Sequence, residues 1–260
     1  MKIFRNERPV VGMVHLLPLP GAPRARALSE VRAAARADAE ALARGGVDGI
    51  LIENYGDAPF TGGSVEPQVV AAMAVLASEI RARSGLPIGI NVLRNDARSA
   101  LAVALASGAR FIRVNIHVGA AETDQGRIDG RAYETLRYRK AIGAEVAIFA
   151  DVFVKHARPA GSTDLASLAR DTAYRGLADV LLVTGSETGA AADPDRVRQL
   201  KQAVPDRPIW VASGVEPGNV RSFGDADGFI VGSAFERAGR AGGRVEAQRV
   251  RALVRALKGR

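Results

Sequence analysis

A chain of 260 residues that is 47% hydrophobic and 25% charged has the composition of a soluble globular protein with one large core. It has no cysteine, which excludes disulfides, thiolate metal sites and cysteine nucleophiles and fits a cytoplasmic location. The net charge of +8 raises nucleic acid as a partner, but the arginines alternate with acids in Ala-rich stretches and only four Tyr and one Trp are present for base stacking. General basicity that draws anionic small molecules is the preferred reading.

From end to end, apolar runs alternate with helical patterns, the signature of βα units around a parallel sheet. Strands are expected near Val10–His15, Gly49–Asn54, Ile88–Leu93, Phe111–Ile116, Val146–Val152, Val180–Thr184, Ile209–Ala212 and Phe229–Val231. Helices are expected near Ser29–Arg44, Pro67–Arg83, Ala97–Ser107, Ala132–Ile142, Asp164–Tyr174, Asp195–Ala203, Pro217–Ser222 and Val245–Leu257. Eight such pairs predict an α/β fold closed as a single (β/α)8 TIM barrel over residues 1–260, for which about 250 residues is typical. No Gly-x-Gly-x-x-Gly follows the first strand, which weighs against a dinucleotide fold. No apolar run approaches the roughly 18 residues of a membrane span.

Helix ends carry their own signals. Ser29, Asp96 and Asp193-Pro194 are expected to cap the first, third and sixth helices, and Gly45-Gly46 and Gly108 to end theirs in left-handed geometry. Two connections, Tyr55–Gly63 and Val118–Arg131, are longer than a turn needs and both follow strands, so they read as binding loops at the barrel mouth. His15 leads into a stiff apolar lip, Leu16 to Pro23.

Side chains alternate along a strand, so every second residue faces the lumen. The fourth strand then turns Ile112, Val114 and Ile116 toward the helices and Arg113, Asn115 and His117 inward. A buried guanidinium needs a carboxylate or an anion, so Arg113 is either in a fixed ion pair with Glu53 or Asp151 or part of a substrate site. The same alternation places His15, Glu53, Asn91 and Asp151 inside, at the C-terminal strand ends where barrels carry chemistry. Near the last two strands, Ser213-Gly214 and Gly232-Ser233 lack bulky side chains, so their backbone N–H groups can approach a phosphate; tight turns alone would use the same residues. After the sixth strand, Thr184 begins a hydroxyl loop, Val183 to Gly189, that reads equally as a ligand contact or an ordinary turn.

Three chemistries can use this set. Acid–base work on a phosphorylated substrate would use His15, Glu53, His117 and Asp151. A divalent metal would draw on Glu53, Asp151 and a histidine, but no short-spaced ligand motif supports it and no metal ligand is assigned. Schiff-base chemistry at Lys155 would need burial to depress its pKa; a solvated lysine, or one pairing with phosphate, is the simpler reading.

Several long strings carry a family resemblance: Gly12-Met13-Val14-His15-Leu16-Leu17-Pro18-Leu19-Pro20-Gly21, Glu53-Asn54-Tyr55-Gly56-Asp57-Ala58-Pro59-Phe60, Arg113-Val114-Asn115, Thr123-Asp124-Gln125-Gly126, Ala150 to Ala157, Val183-Thr184-Gly185 and Ser213-Gly214-Val215. Over essentially the whole chain, the sequence resembles the BtpA/SgcQ family of TIM-barrel proteins. That resemblance implies the barrel and a phosphorylated small ligand, and it links some members to photosystem I biogenesis, without supplying a settled reaction.

The expectation is a phosphate-binding barrel enzyme acting on a phosphorylated sugar or nucleoside-like metabolite. Ser213, Gly214, Gly232 and Ser233 would hold phosphate, Arg113 and Lys155 would balance charge, and Asn54, Asn91, Asn115 and Thr184 would contact substrate. The alternative is a non-catalytic assembly or stability factor. The residues themselves require no cofactor, and homo-oligomerisation stays open.

Overall fold

The computed structural model describes residues 2–161, 164–185 and 190–258. In chain order the elements are β1 (Val10–His15), α1 (Leu28–Gly45), β2 (Gly49–Glu53), α2 (Pro67–Ser84), β3 (Ile88–Asn91), α3 (Ala97–Ser107), β4 (Phe111–Val114), β5 (Ala120–Thr123), β6 (Gly126–Asp129) and α4 (Ala132–Ala141). There follow β7 (Ala147–Val152), β8 (Ala157–Pro159), α5 (Leu165–Arg170), β9 (Val180–Val183), α6 (Pro194–Ala203), β10 (Ile209–Val211), β11 (Gly228–Val231) and α7 (Ala247–Lys258). Eight strands close a barrel in the order β1-β11-β10-β9-β7-β4-β3-β2, every neighbouring pair parallel.

The period-2 pattern sorts the strand residues into two cores. Val10, Val14, Ile50, Ile52, Ile90, Ile112 and Ile148 face outward into the layer shared with the helices. Val11, Met13, Leu51, Phe111, Phe149, Leu182, Trp210 and Ile230 fill the lumen, where Phe4 joins them from the segment before β1. Phe111 stacks on Phe149 at 4.6 Å, and Trp210 meets both Phe149 and Phe4, so aromatic rings close the N-terminal end of the barrel. Full burial of a side chain of this size contributes about 1.5–3 kcal/mol. The lumen floor is therefore apolar, and the polar strand-end side chains lie at the opposite, C-terminal mouth.

Of the side-chain caps expected from the sequence, those of Asp96 and Asp193 form and that of Ser29 does not. Asp96 accepts from the Ser99 amide and Asp193 from the Asp195 amide, while Gly46 and Gly108 end α1 and α3 with left-handed backbones. Ser29 does not cap α1: the helix begins at Leu28 after Ala27, with no side-chain cap, because backbone hydrogen bonds from Glu30 and Val31 to the Ala27 carbonyl already start the turn. The seventh helix is reduced to a 3-10 turn at Val220–Phe223.

Two further corrections concern the mouth. The fourth strand ends at Val114 rather than Ile116, so strict alternation stops two residues early. The connection after it is not an irregular loop: β5 and β6 form an antiparallel hairpin, and β8 pairs with β5 to make a three-stranded sheet over the barrel. Ile116 packs beneath this sheet with Ala121, Ile128 and Val154, away from the helix layer.

Candidate functional site at the barrel mouth

The ladder puts His15 opposite Glu53 and Glu53 opposite Asn91, so β1, β2 and β3 present three polar side chains at one level. Arg113 from β4 and Asp151 from β7 complete the layer directly above the apolar lumen. The two form a buried bidentate pair, Nε to Oδ1 at 3.1 Å and Nη2 to Oδ2 at 3.0 Å. Asn115 donates to the same carboxylate at 2.9 Å, and Asn91 donates to Asn115 at 3.1 Å and to the Arg113 carbonyl. Burial opposes the Arg113 charge, but the Asp151 and Glu53 carboxylates outweigh it and hold its pKa above the ordinary value. Of the two roles open to Arg113, the fixed ion pair is the one the geometry fills, and Asp151 is its partner.

His15 is gripped from several directions. Its Nδ1 lies 2.5 Å from Oε1 of Glu236, a carboxylate only 1% exposed, and its Nε2 lies 3.7 Å from Oε1 of Glu53. The ring packs on Tyr55 with centroids 4.6 Å apart. The Gly243 amide donates to the other Glu236 oxygen, fixing the carboxylate in turn. Gly232 adjoins the free edge of the imidazole: a Cβ there would sit 3.0 Å from His15 Cε1 and 3.6 Å from Nε2. Burial first, then Glu53 and Glu236, raise the Tyr55 phenol pKa.

A cavity of about 410 Å³ opens over this layer. Its walls include Glu53, Tyr55, Asn115, Lys155 and the apolar lip Leu16-Leu17-Pro18, together with Arg24 and Arg94. Arg24, Arg94 and Lys155 face it against one carboxylate, Glu53, so the wall is positive and suits an anion. Burial first, and then Arg113, hold the Lys155 ammonium below the ordinary lysine value.

The remaining expected residues divide. Asn54 accepts from the Leu93 amide at 2.7 Å and donates to Asp57, so it ties two loops together inside the protein. Thr184 donates to the Phe153 carbonyl at 3.1 Å and is buried. The rest of its loop, Ser186 to Gly189, lies outside the described residues. Ser213 Oγ accepts from the Gly185 amide at 2.7 Å and donates to the Ala190 carbonyl at 3.0 Å, so this hydroxyl is committed to packing. Gly214, at φ +62°, lies so close beneath Ala190 and Ala191 that a Cβ would come within 2.2 Å of Ala191 Cα. Gly232 and Ser233 are half-buried, and the Ser233 and Ala234 amides open a short 3-10 turn, Ser233–Phe235, with no hydrogen-bond partner among the described residues.

His117 departs from the expected inward row. Beyond the end of β4 its ring turns to the α5–β9 connection, where Nε2 meets the Gly176 carbonyl at 2.8 Å. Burial lowers its pKa. It is a core histidine and does not join His15, Glu53 and Asp151. Nor do three His, Cys, Asp or Glu side chains converge as a metal site among the described residues.

The sequence profile of the BtpA family matches residues 6–259. This chain belongs to the BtpA family. Its BtpA-family relatives include the Photosystem I biogenesis protein BtpA of Synechocystis sp., 44% identical over 98% of this chain and 89% of that protein. An uncharacterized protein of Methanocaldococcus jannaschii is 40% identical over 96% of this chain and 95% of its own length. Among solved structures, thiamine phosphate pyrophosphorylase from Pyrococcus furiosus superposes with a TM-score of 0.58 at 15% identity, covering 98% of both chains. N-(5′-phosphoribosyl)anthranilate isomerase from the same organism gives 0.57 at 15% identity, over 97% of this chain and 100% of that one. At such identities these two show the fold.

Two residues of this BtpA-family site escape the alternation rule. Glu236 follows the last strand by several residues, in a segment without periodicity; its one signal is a carboxylate next to a large apolar residue, Phe235, just past the Gly232-Ser233 turn. Arg94 lies three residues beyond β3 yet is only 5% exposed, and its Nη2 donates to the Lys155 carbonyl at 2.7 Å. The rule that strand ends carry function reaches Arg94 when extended by one turn. Among the described residues no helix is long and apolar enough to cross a membrane.

Proposed function

We propose that this chain is an enzyme that binds a phosphorylated sugar or nucleoside-like small molecule at the barrel mouth and moves a proton on it. The observation that carries this reading is the setting of His15. Nδ1 lies 2.5 Å from Glu236 and 3.4 Å from the Gly242 amide; in the tautomer that donates from Nδ1 to the Glu236 carboxylate, Nε2 is the ring's acceptor, and it faces Glu53 on one side and the Gly232 turn on the other. A substrate proton held between Nε2 and the Glu53 carboxylate then has a base on either side. The phosphate group would rest on the Ser233 and Ala234 amides beside Gly232, with the Gly214 backbone as the second half of the cradle. Ser213 contributes by holding that cradle in shape, since its hydroxyl is already engaged.

Further support comes from an unfilled polar group. Arg94, in the cavity wall, has its Nε buried without a hydrogen-bond partner among the described residues, and an acceptor on a ligand in the cavity can satisfy it. Arg24, Arg94 and Lys155 favour a negative one. The two solved structures of like fold are named for work on phosphorylated compounds, which agrees with this substrate class. Asp151, locked to Arg113 and Asn115, would position rather than transfer protons.

The 44% identity to a protein named for photosystem I biogenesis favours a second reading, an assembly factor that needs no turnover. The two separate in one experiment. Sugar phosphates and nucleotides are incubated with the protein and followed by phosphorus and proton NMR. The enzyme reading expects conversion of at least one compound, slowed about 100-fold or more in Glu53→Gln, with the thermal midpoint unchanged. No conversion of any compound would speak for the assembly reading, and equal conversion by Glu53→Gln would remove Glu53 from the chemistry.

A further inference from the structure

The segment after β7 is built in an unusual way. Phe153 and His156, neither of them glycine, both have left-handed backbones, at φ 59° and 55°. Each such residue costs roughly 1–2 kcal/mol, and it persists where surrounding contacts over-determine it. Those contacts are present: Thr184 donates to the Phe153 carbonyl and Arg94 to the Lys155 carbonyl. The strained bracket places Lys155 in the wall of the cavity, with Glu53, Tyr55 and Arg94 around it.

Lys155 also differs from the other lysines. The chain has five, at positions 2, 140, 155, 201 and 258. Lys201 pairs with Asp227 and Lys258 with Asp48, while Lys2 and Lys140 are exposed. Lys155 is half-buried as a residue, and its Nζ forms no hydrogen bond or ion pair among the described residues.

We propose that Lys155 is the carbonyl-condensing nucleophile of this site, forming an imine with the open-chain carbonyl carbon of a phosphorylated aldose or ketose. The inference rests on the proposed function and narrows its substrate to compounds with a free carbonyl. Attack by the neutral amine makes the C–N bond as the carbonyl oxygen takes up a proton. Loss of that oxygen as water breaks the C–O bond and leaves a protonated imine. Counted from the ammonium form, ammonium plus carbonyl gives iminium plus one water, with no oxidant or reductant. Glu53, in the same cavity wall, is placed to relay the protons, and the depressed lysine pKa raises the share of reactive amine.

The test uses pyridoxal 5′-phosphate, a small phosphorylated aldehyde, followed by borohydride reduction and peptide mapping of the whole chain. The expected result is one adduct per chain at Lys155, formed ahead of the exposed Lys2 and Lys140 and absent at that position in Lys155→Arg. Adducts on the exposed lysines with Lys155 unlabelled would overturn the inference. Inorganic phosphate as competitor separates it from the reading beneath it. Labelling of Lys155 that phosphate suppresses supports both. Labelling that phosphate leaves untouched keeps the lysine and sinks the phosphate cradle. Thermal stabilisation by phosphate with no label on Lys155 does the reverse.

Discussion

His117 and Arg113 sit four residues apart, and burial acts on them in opposite ways. Arg113 enters the interior with a carboxylate on both of its forks, so it stays charged; removing Asp151 would strand that charge at a cost of about 3–5 kcal/mol. His117 has only the Gly176 carbonyl, and burial lowers its pKa below the ordinary 6.5. A depressed histidine is protonated more readily in the unfolded chain than in the folded one. Its contribution to stability is therefore complete above about pH 6.5 and is lost as the pH falls below that value toward the folded pKa. We expect His117→Gln, whose amide can still donate to Gly176, to flatten this part of the profile. Between pH 7 and 5 the difference in unfolding free energy from urea titrations should change by no more than the about 1.4 kcal/mol per pH unit of a single proton. Parallel profiles for the two proteins would mean that His117 keeps an ordinary pKa. That Arg113 needs a carboxylate was legible from the sequence because a charge in a core strand demands an explanation. That His117 turns away was not, because the strand's end is set by the sheet above it.

Elements were legible where one period ran unbroken. The eight barrel strands and their helices follow from apolar alternation, and Asp96 and Asp193 from capping chemistry. The hairpin of β5 and β6 was hidden: four-residue strands joined through Asp124-Gln125 carry too little pattern to stand out from a loop. Asp96 shows how much one cap can hold. Besides the Ser99 amide, its carboxylate accepts the Ser99 hydroxyl and the Val65 amide, so it fastens α3 to the loop before α2. Asp96→Ala should cost about 2 kcal/mol, more than a simple cap, whereas Asp96→Asn should lose less than half of that. A shift of the urea midpoint at constant slope measures it. Equal losses in the two variants would show that charge, rather than hydrogen bonding, holds this junction.

For the whole molecule, the sequence makes the barrel plain and the site only partly so. The strand-end residues His15, Glu53, Asn91, Arg113, Asn115 and Asp151 do come together, because closure of the barrel carries every C-terminal strand end to one rim. Glu236 and Arg94 join them from connections whose paths depend on tertiary packing. Scattered basicity has a modest meaning at this scale. Arg32 and Arg36 share Glu79 on the surface, and exposed pairs of this kind contribute little to stability. The positive wall of the cavity is where charge would have consequence, since under the proposed function it would select an anionic ligand.

The central claim is that the mouth accepts a phosphorylated small molecule beside His15. Its most direct test is a thermal-shift screen against inorganic phosphate, sugar phosphates and nucleotides. At a ligand concentration of about 100 times Kd, stabilisation of about 2.7 kcal/mol corresponds to roughly 5–10 °C for a protein of this size. We predict such a shift from at least one phosphorylated compound, lost in Gly232→Trp and in Ser233→Glu while each variant alone melts cooperatively. No shift from any compound, or the same shift in both variants, would contradict the account.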